Sequence, residues 1–316
     1  MMSLHHENNG NPIEVKTIKY ISRDFESLEA IIQDFLQKCD GVPMAAAFGI
    51  PGPVENGVVK STNLPWIIDE NLLIKHTGIP LVKLINDLVA TAYILPKLTR
   101  DEITNIKEGV ISKSPERYVV VAPGTGLGQS FLIKKDGKTI AIPSEGGHAD
   151  FAPTSETEAG LYRFLLKKFG HVSYERVISG IGLPNIFDFI VEIKKEIPEK
   201  ETLEKMKGHD RAVVISEMAL AKADKVCEEA LHLFVSILGS HAGNLALTFR
   251  PDGGVFLGGG IPYKIIPKML DGTFVSRFVN KGRMRSVLEN IPVNIILNNQ
   301  AALKGAALVA CEISKN

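Results

Sequence analysis

The sequence predicts an α/β protein, because short apolar runs alternate along it with segments of helical periodicity. The apolar runs show no alternation and end in glycine or polar residues, as strands covered on both faces do. Between them lie amphipathic stretches with recognisable start and stop residues.

The first helix is marked by Leu28, Ile31, Ile32, Phe35, Leu36 and Cys39 at helical spacing, with Glu29, Gln33, Gln37 and Lys38 on the other face. Met44 to Phe48, closed by Gly49, reads as a buried strand, and Asn56-Gly57 before Val58-Val59 reads as a hairpin turn. Leu81 to Ile85 is a further strand that stops at Asn86-Asp87. Tyr118 to Val121 is another, running into Pro123-Gly124-Thr125-Gly126-Leu127-Gly128, and a hairpin follows at Asp136-Gly137. Ser155-Glu156-Thr157-Glu158 reads as a capping box, opening a helix with Leu161, Phe164 and Leu165 inward and Gly170 at its end. One long helix is predicted from Ser216 to about Leu238. Gly254 to Leu257 is a strand entering Gly258-Gly259-Gly260, and Val293 to Leu297 is the last strand. Charge-rich Lys97 to Ser114 reads as a connector.

A chain of 316 residues with 45% hydrophobic and 23% charged residues suggests two domains, each with its own core, or one large one. Lys plus Arg and Asp plus Glu each number 36, so there is no electrostatic footprint for nucleic acid or an anionic membrane. Cys39, Cys227 and Cys311 form neither a disulfide framework nor a zinc pattern, which suits a reducing, cytoplasmic setting. The polar start MMSLHHENNG is unlike a signal peptide, and no apolar run approaches the ~20 residues that cross a bilayer. A small molecule is the expected partner.

Five groups of residues could carry chemistry. Gly124, Thr125, Gly126 and Gly128 follow a strand; their N–H groups suit an anion, and a tight hairpin entry fits the same residues. No Gly-Lys-Ser/Thr follows, so this is not a Walker loop. Asn86-Asp87 ends a strand, where polar residues of an open α/β sheet face a ligand or simply cap the next helix; a carboxylate there could accept a hydroxyl proton. Glu145-Gly146-Gly147-His148 offers donors and acceptors for sugar hydroxyls, or is a surface turn. Glu175 reads equally as a solvated carboxylate at a helix start. Gly258, Gly259 and Gly260 let the chain approach a flat ligand, and a strand-to-helix turn is compatible.

In order along the chain, these segments resemble the bacterial glucokinase family, in the actin-like ATPase-domain superfamily. The resemblance also takes in Ser144 to Pro153, His171 to Val177, Ser179-Gly180, Gly243 to Leu247, Gly253 to Ile261 and Lys281-Gly282-Arg283. It implies a two-domain actin-like (ribonuclease H-like) fold with an interdomain cleft. The smaller domain is expected over 1–98, completed by a helix over 301–316, and the larger over 99–300. The implied reaction is transfer of a phosphoryl group from ATP, with Mg²⁺, to the 6-hydroxyl of glucose.

By the same resemblance Asp87 is the catalytic base, and Asn86, Glu145, His148, Glu175 and Asn63 bind sugar hydroxyls. Gly124 to Gly128 are the second phosphate loop and Gly258 to Gly260 the adenosine loop; no protein metal ligand is implied. The cysteine-rich zinc motif of related repressor-type sugar kinases is absent from the sequence, which favours the non-zinc branch. A homodimer is implied too.

One element of the family pattern is absent from the sequence: a first strand with an Asp-x-Gly-Gly-Thr loop. Aligning Ser27 to Ala30 with the family's first helix puts Met1 to Leu4 near the start of its second strand, so about a dozen residues are expected upstream. Loss of the loop in this lineage is the alternative. The sequence as it stands is expected to bind sugar better than it turns ATP over, and to expose a sheet edge. A kinase of another hexose, or a sugar-binding regulator, are the rival readings; no DNA-binding helix pair or basic patch supports the second.

Overall fold

The computed structural model describes residues 1–60 and 64–315. The chain divides into two compact units, one of Met1–Thr99, Gly137–Pro143 and Asn298–Asn316, the other of Arg100–Asp136 and Ser144–Leu297.

The first unit opens with an antiparallel pair, β1 (Met2–Asn8) and β2 (Asn11–Ile18), turned by Asn9-Gly10 with positive φ at both residues. Helix α1 (Leu28–Gln37) starts at Ser27, whose Oγ accepts from the Ala30 N–H, and buries Leu28, Ile31, Ile32 and Phe35. Cys39 lies beyond its end. Strand β3 (Ala45–Ile50) pairs in parallel with β6 (Leu81–Asn86). Short β4 (Val58–Lys60) and β5 (Ile67–Asp69) pair antiparallel and lead into α2 (Glu70–Thr77). The Asn56-Gly57 turn is present, closed by reciprocal bonds between Glu55 and Val58 of 3.0 and 2.9 Å. Helix α3 (Asp87–Ile94) follows β6 directly.

The C-terminal helix Ala301–Ile313 packs on α3 so closely that a Cβ at Gly305 would collide with the Ala90 carbonyl. Ile85, Val89, Ala90, Ala306 and Val309 form that seam.

Strand β3 departs from the expectation of a strand covered on both faces. Ala45, Ala46 and Ala47 are only half-buried, because β1–β2 and β3–β6 are separate ladders. A cavity of about 590 Å³ is bordered by Met2 to Glu7 of β1 and the whole of β3, with the apolar faces of α1 and the C-terminal helix also lining it. The open sheet edge expected from the sequence borders this slot, which α1 and the C-terminal helix also line.

The second unit is built on strands β7 (Ile103–Lys107), β8 (Arg117–Pro123) and β9 (Leu127–Lys135), with β11 (Val255–Leu257) and β12 (Val293–Ile296) further along, after β10 (Lys138–Ser144). Spatially β8, β11 and β12 lie side by side and parallel, flanked by antiparallel β9 and β7. Val119, Val120 and Val121 are wholly buried, as residues of a central parallel strand are. The stretch Lys97 to Ser114, expected to be a connector, therefore contributes an edge strand to this sheet.

Helix α4 (Glu156–Phe169) is capped by Ser155 and ends at Gly170, as expected. The reciprocal half of the capping box is not formed. Glu158 instead accepts from the N–H and hydroxyl of Thr154, at 2.6 and 2.8 Å, and pairs with Arg277 at 2.8 Å. Helices α5 (Gly182–Ile193), α6 (Lys200–Met206), α7 (Arg211–Leu220) and α8 (Lys225–Phe249) complete the set before β11.

The single helix expected from Ser216 to Leu238 is two helices. Asp224 caps the second by accepting from Val226 and Cys227, and Lys222 just before it has a φ of 54°. With 25 residues and few charges, α8 is also long and apolar enough to cross a bilayer, contrary to the sequence reading. In the best window 83% of it is buried inside the protein, where it is the axis of the core.

Candidate active site

In an open α/β sheet, ligands are taken at the carboxyl ends of parallel strands. In the second unit those ends belong to β8, β11 and β12, and the first two run into glycine loops. After β8, the Gly124 N–H donates to the Gly126 carbonyl at 2.9 Å, and the Gly124 carbonyl accepts from Gly180 at 2.7 Å. After β11, Gly258 donates to the Val121 carbonyl at 2.9 Å. Gly259 has a φ of 77°, and a Cβ there would lie 2.5 Å from the Pro123 carbonyl. Only glycine fits that close approach. The two loops therefore adjoin, with Thr125, Gly259 and Gly260 exposed beside half-buried Gly124 and Gly126.

Glu175 joins this corner to the Glu145–His148 turn. Its Oε2 accepts from the Leu127 N–H at 2.9 Å, its own N–H donates to the Gly147 carbonyl at 2.9 Å, and its Oε1 lies 3.9 Å from His148 Nδ1. A Cβ at Gly126 would collide with the same carboxylate. The sequence alternative of a solvated helix-start carboxylate is thus not what Glu175 is; its side chain is 22% exposed. Glu145 and His148 are exposed, and the His148 N–H donates to the Glu145 carbonyl at 2.9 Å, which folds the turn. Gly124, Gly126, Glu145, His148, Glu175 and Gly259 share one corner of the second unit.

Asn86 and Asp87 lie in the first unit, at the carboxyl end of β6. Asn86 caps α3, its Oδ1 accepting from Leu88 at 2.8 Å and Val89 at 3.3 Å, and its Nδ2 donates to the Gly52 carbonyl at 3.1 Å. The capping alternative is realised in Asn86, whose Nδ2 carries a second N–H. Asp87 is half-buried at the first position of α3. Burial pushes its carboxyl above the usual range, against the opposing pull of the Leu88 N–H at 3.0 Å. Asn63 lies outside the described residues.

Sequence reasoning gave no role to the polar chain beneath the turn. Gln129 Nε2 donates to Ser144 Oγ at 3.1 Å, and Gln129 Oε1 lies 3.2 Å from His241 Nε2. The His241 ring lies on the Tyr174 ring, centroids 4.1 Å apart. The Tyr174 hydroxyl accepts from Asn244 at 3.1 Å, and Asn244 accepts from Lys281 at 2.7 Å. A histidine on an otherwise apolar helix was the signal available in the sequence.

The comparisons with known proteins agree with one another. A family model described as "Glucokinase" matches residues 1–313. The chain belongs to the glucokinase family. It is similar to a glucokinase of Nostoc punctiforme, 41% identical over an alignment of 309 residues that covers 93% of this chain and 90% of that one. Among solved structures it is similar to a glucokinase from an Antarctic psychrotroph, with a TM-score of 0.85 and 28% identity, covering 98% of this chain and 94% of that one. A ROK family glucokinase from Streptomyces griseus, in complex with glucose and AMPPNP, shares the fold at a TM-score of 0.59 and 18% identity, over 97% of this chain and 94% of that one. The fold of this glucokinase-family chain is accordingly the two-domain actin-like (ribonuclease H-like) ATPase fold.

Proposed function

We propose that this glucokinase-family chain transfers the γ-phosphoryl group of ATP to the 6-hydroxyl of glucose, giving glucose 6-phosphate. Membership of the family supports the reaction. The observation that carries the assignment of parts is Glu175, which ties the glycine loop after β8 to the Glu145–His148 turn. A phosphate-sized anion and a polyol can be held on either side of one carboxylate.

In this reading Asp87 accepts the proton of the 6-hydroxyl as its oxygen bonds to the γ-phosphorus, and ADP leaves. A half-buried carboxyl with a raised pKa is a stronger base than an exposed one once ionised. Asn86, Glu145, His148 and Glu175 bind the remaining hydroxyls, with Asn63 assigned to the same task. Each hydroxyl lost from a substrate would leave a polar group of the protein unpaired, at about 1–3 kcal/mol. Thr125, Gly126 and Gly128 cradle phosphate with their N–H groups, Gly124 shapes the loop by giving its own N–H to the Gly126 carbonyl, and Gly258, Gly259 and Gly260 lie along the nucleoside.

The close approach at Gly259 fits a nucleotide, because the peptide faces there are bare of side chains. Mg²⁺ finds no ready-made site: no group of three metal-ligating side chains occurs among the described residues. The cation would be carried by the phosphates of ATP, and no step here depends on a protein ligand to it.

A homodimer in the cytoplasm completes the reading. The family resemblance supports the dimer, and the free cysteines Cys39, Cys227 and Cys311 support a reducing compartment. Sedimentation would settle the oligomeric state. The assignment of parts is tested by calorimetry with glucose on Glu145→Ala, His148→Ala and Glu175→Gln: each should bind more weakly, and unchanged affinity in all three would refute it.

A further inference from the structure

Gln129 and His241 are 4% and 3% exposed, and burying two polar side chains costs stability unless their hydrogen bonds are made. Here the bonds run in one direction. Burial, with Lys281 nearby, lowers the His241 imidazole to about 4, so the ring is neutral and carries one proton. The carbonyl end of Gln129 faces Nε2, which therefore holds that proton, and Nδ1 is left buried without a partner. The amide end of Gln129 is thereby aimed at Ser144 Oγ, which also accepts from the Gly146 N–H at 3.1 Å. The turn sits directly on this amide: a Cβ at Gly146 would collide with Gln129 Nε2.

The far end of the chain is equally determined. Lys281 donates to the Ser240 carbonyl, Ser240 Oγ and Asn244 Oδ1, at 2.9, 3.2 and 2.7 Å, which uses all three of its N–H bonds. Asn244 holds the Tyr174 hydroxyl, and the Tyr174 N–H donates to the Ala149 carbonyl at 3.0 Å, on the other side of the same turn. Helix α8, through His241 and Asn244, thus grips the Glu145–His148 turn from both flanks.

We propose that Gln129 and His241 are positioning residues that hold the Glu145–His148 turn in its glucose-binding shape and so set glucose affinity without touching the sugar. This rests on the reading of Glu145 and His148 as sugar ligands. An apolar pair in their place would fill the same volume and leave Ser144 and the Gly146 N–H free to turn.

The test is titration calorimetry with glucose, alongside melting temperature, on the full chain and on Gln129→Met, Ser144→Ala, Ser144→Thr and Leu231→Ala. Leu231 is buried on α8 and outside the polar chain, so its variant reports lost stability alone. Gln129→Met and Ser144→Ala should each weaken glucose binding about 10-fold, the worth of roughly one buried hydrogen bond. Ser144→Thr should restore it to within about 3-fold by the same scale, and Leu231→Ala should lower the melting temperature without changing affinity. Unchanged affinity in both Gln129→Met and Ser144→Ala would overturn the proposal, as would an equal loss in Leu231→Ala. Should Gln129→Met fail to fold, the Ser144 pair decides. If Glu145→Ala and His148→Ala both bind glucose normally, the reading beneath the proposal is what fails, and the proposal falls with it.

Discussion

Glu175 Oε2 accepts the Leu127 N–H at 2.9 Å, across 48 residues of sequence. The same residue gives its backbone N–H to the Gly147 carbonyl at 2.9 Å, so Glu175 bonds to both the glycine loop after β8 and the Glu145–His148 turn. The loop is formed by a strand end and the turn by a hairpin, and neither dictates the other's position. Glu175 joins them at one corner, its carboxylate to the loop and its backbone N–H to the turn.

Replacing Glu175 by Gln keeps the volume but removes the charge that strengthens that bond. A hydrogen bond to a charged acceptor is worth about 1.5–3 kcal/mol, so glucose affinity should fall by about 10- to 100-fold. Isothermal calorimetry with glucose measures this. Affinity within about 2-fold of the parent would show that the corner does not depend on the carboxylate.

Asp87→Asn removes the proposed base and leaves its size. Glucose should still bind within a few-fold, while kcat drops by about 10²–10⁴-fold, the usual contribution of a general base. The raised carboxyl also predicts the acid limb of kcat/KM above the ordinary Asp range, since protonated Asp87 cannot accept the hydroxyl proton. A steady-state profile on the parent chain that stays flat down to pH 4 would contradict this.

Gly259→Ala puts a Cβ 2.5 Å from the Pro123 carbonyl at a φ of 77°. Strain of about 1–3 kcal/mol should lower the melting temperature, and the KM for ATP should rise more than that for glucose. Equal effects on both substrates would argue against a nucleotide role for Gly258 to Gly260.

His241 makes stability depend on pH. Its folded value of about 4 lies below the 6.5 of an unfolded histidine. Between the two, the unfolded chain holds the extra proton, so the native state loses stability as the pH falls from 6.5 towards 4. The full loss is about 3 kcal/mol from one buried imidazole. Urea unfolding of the parent against His241→Gln across that window should show the two curves converging as the pH falls. Parallel curves would mean that His241 does not stay neutral.

Much of the fold was legible because it rests on local signals. Ser155, Gly170, Asn56-Gly57 and the run Tyr118 to Val121 each do what their chemistry predicts. The break between α7 and α8 was missed because Ala221 to Asp224 contains neither Gly nor Pro; the Asp224 cap was the one local sign. The apolar slot beside β3 was expected only as an open edge, since which helix faces cover it is a tertiary fact. In the site, Asn86 proved to be the helix cap, one of the two alternatives that the sequence left open. Gln129 and His241 could not be paired from sequence, because 112 residues separate them.

A coupled assay for glucose 6-phosphate with ATP, Mg²⁺ and glucose tests glucose phosphorylation most directly. The expected result is product formation that requires both substrates and falls about 10²–10⁴-fold in Asp87→Asn. Glucose binding by calorimetry with no glucose 6-phosphate formed from ATP would contradict it, and would leave a sugar-binding protein in place of a kinase.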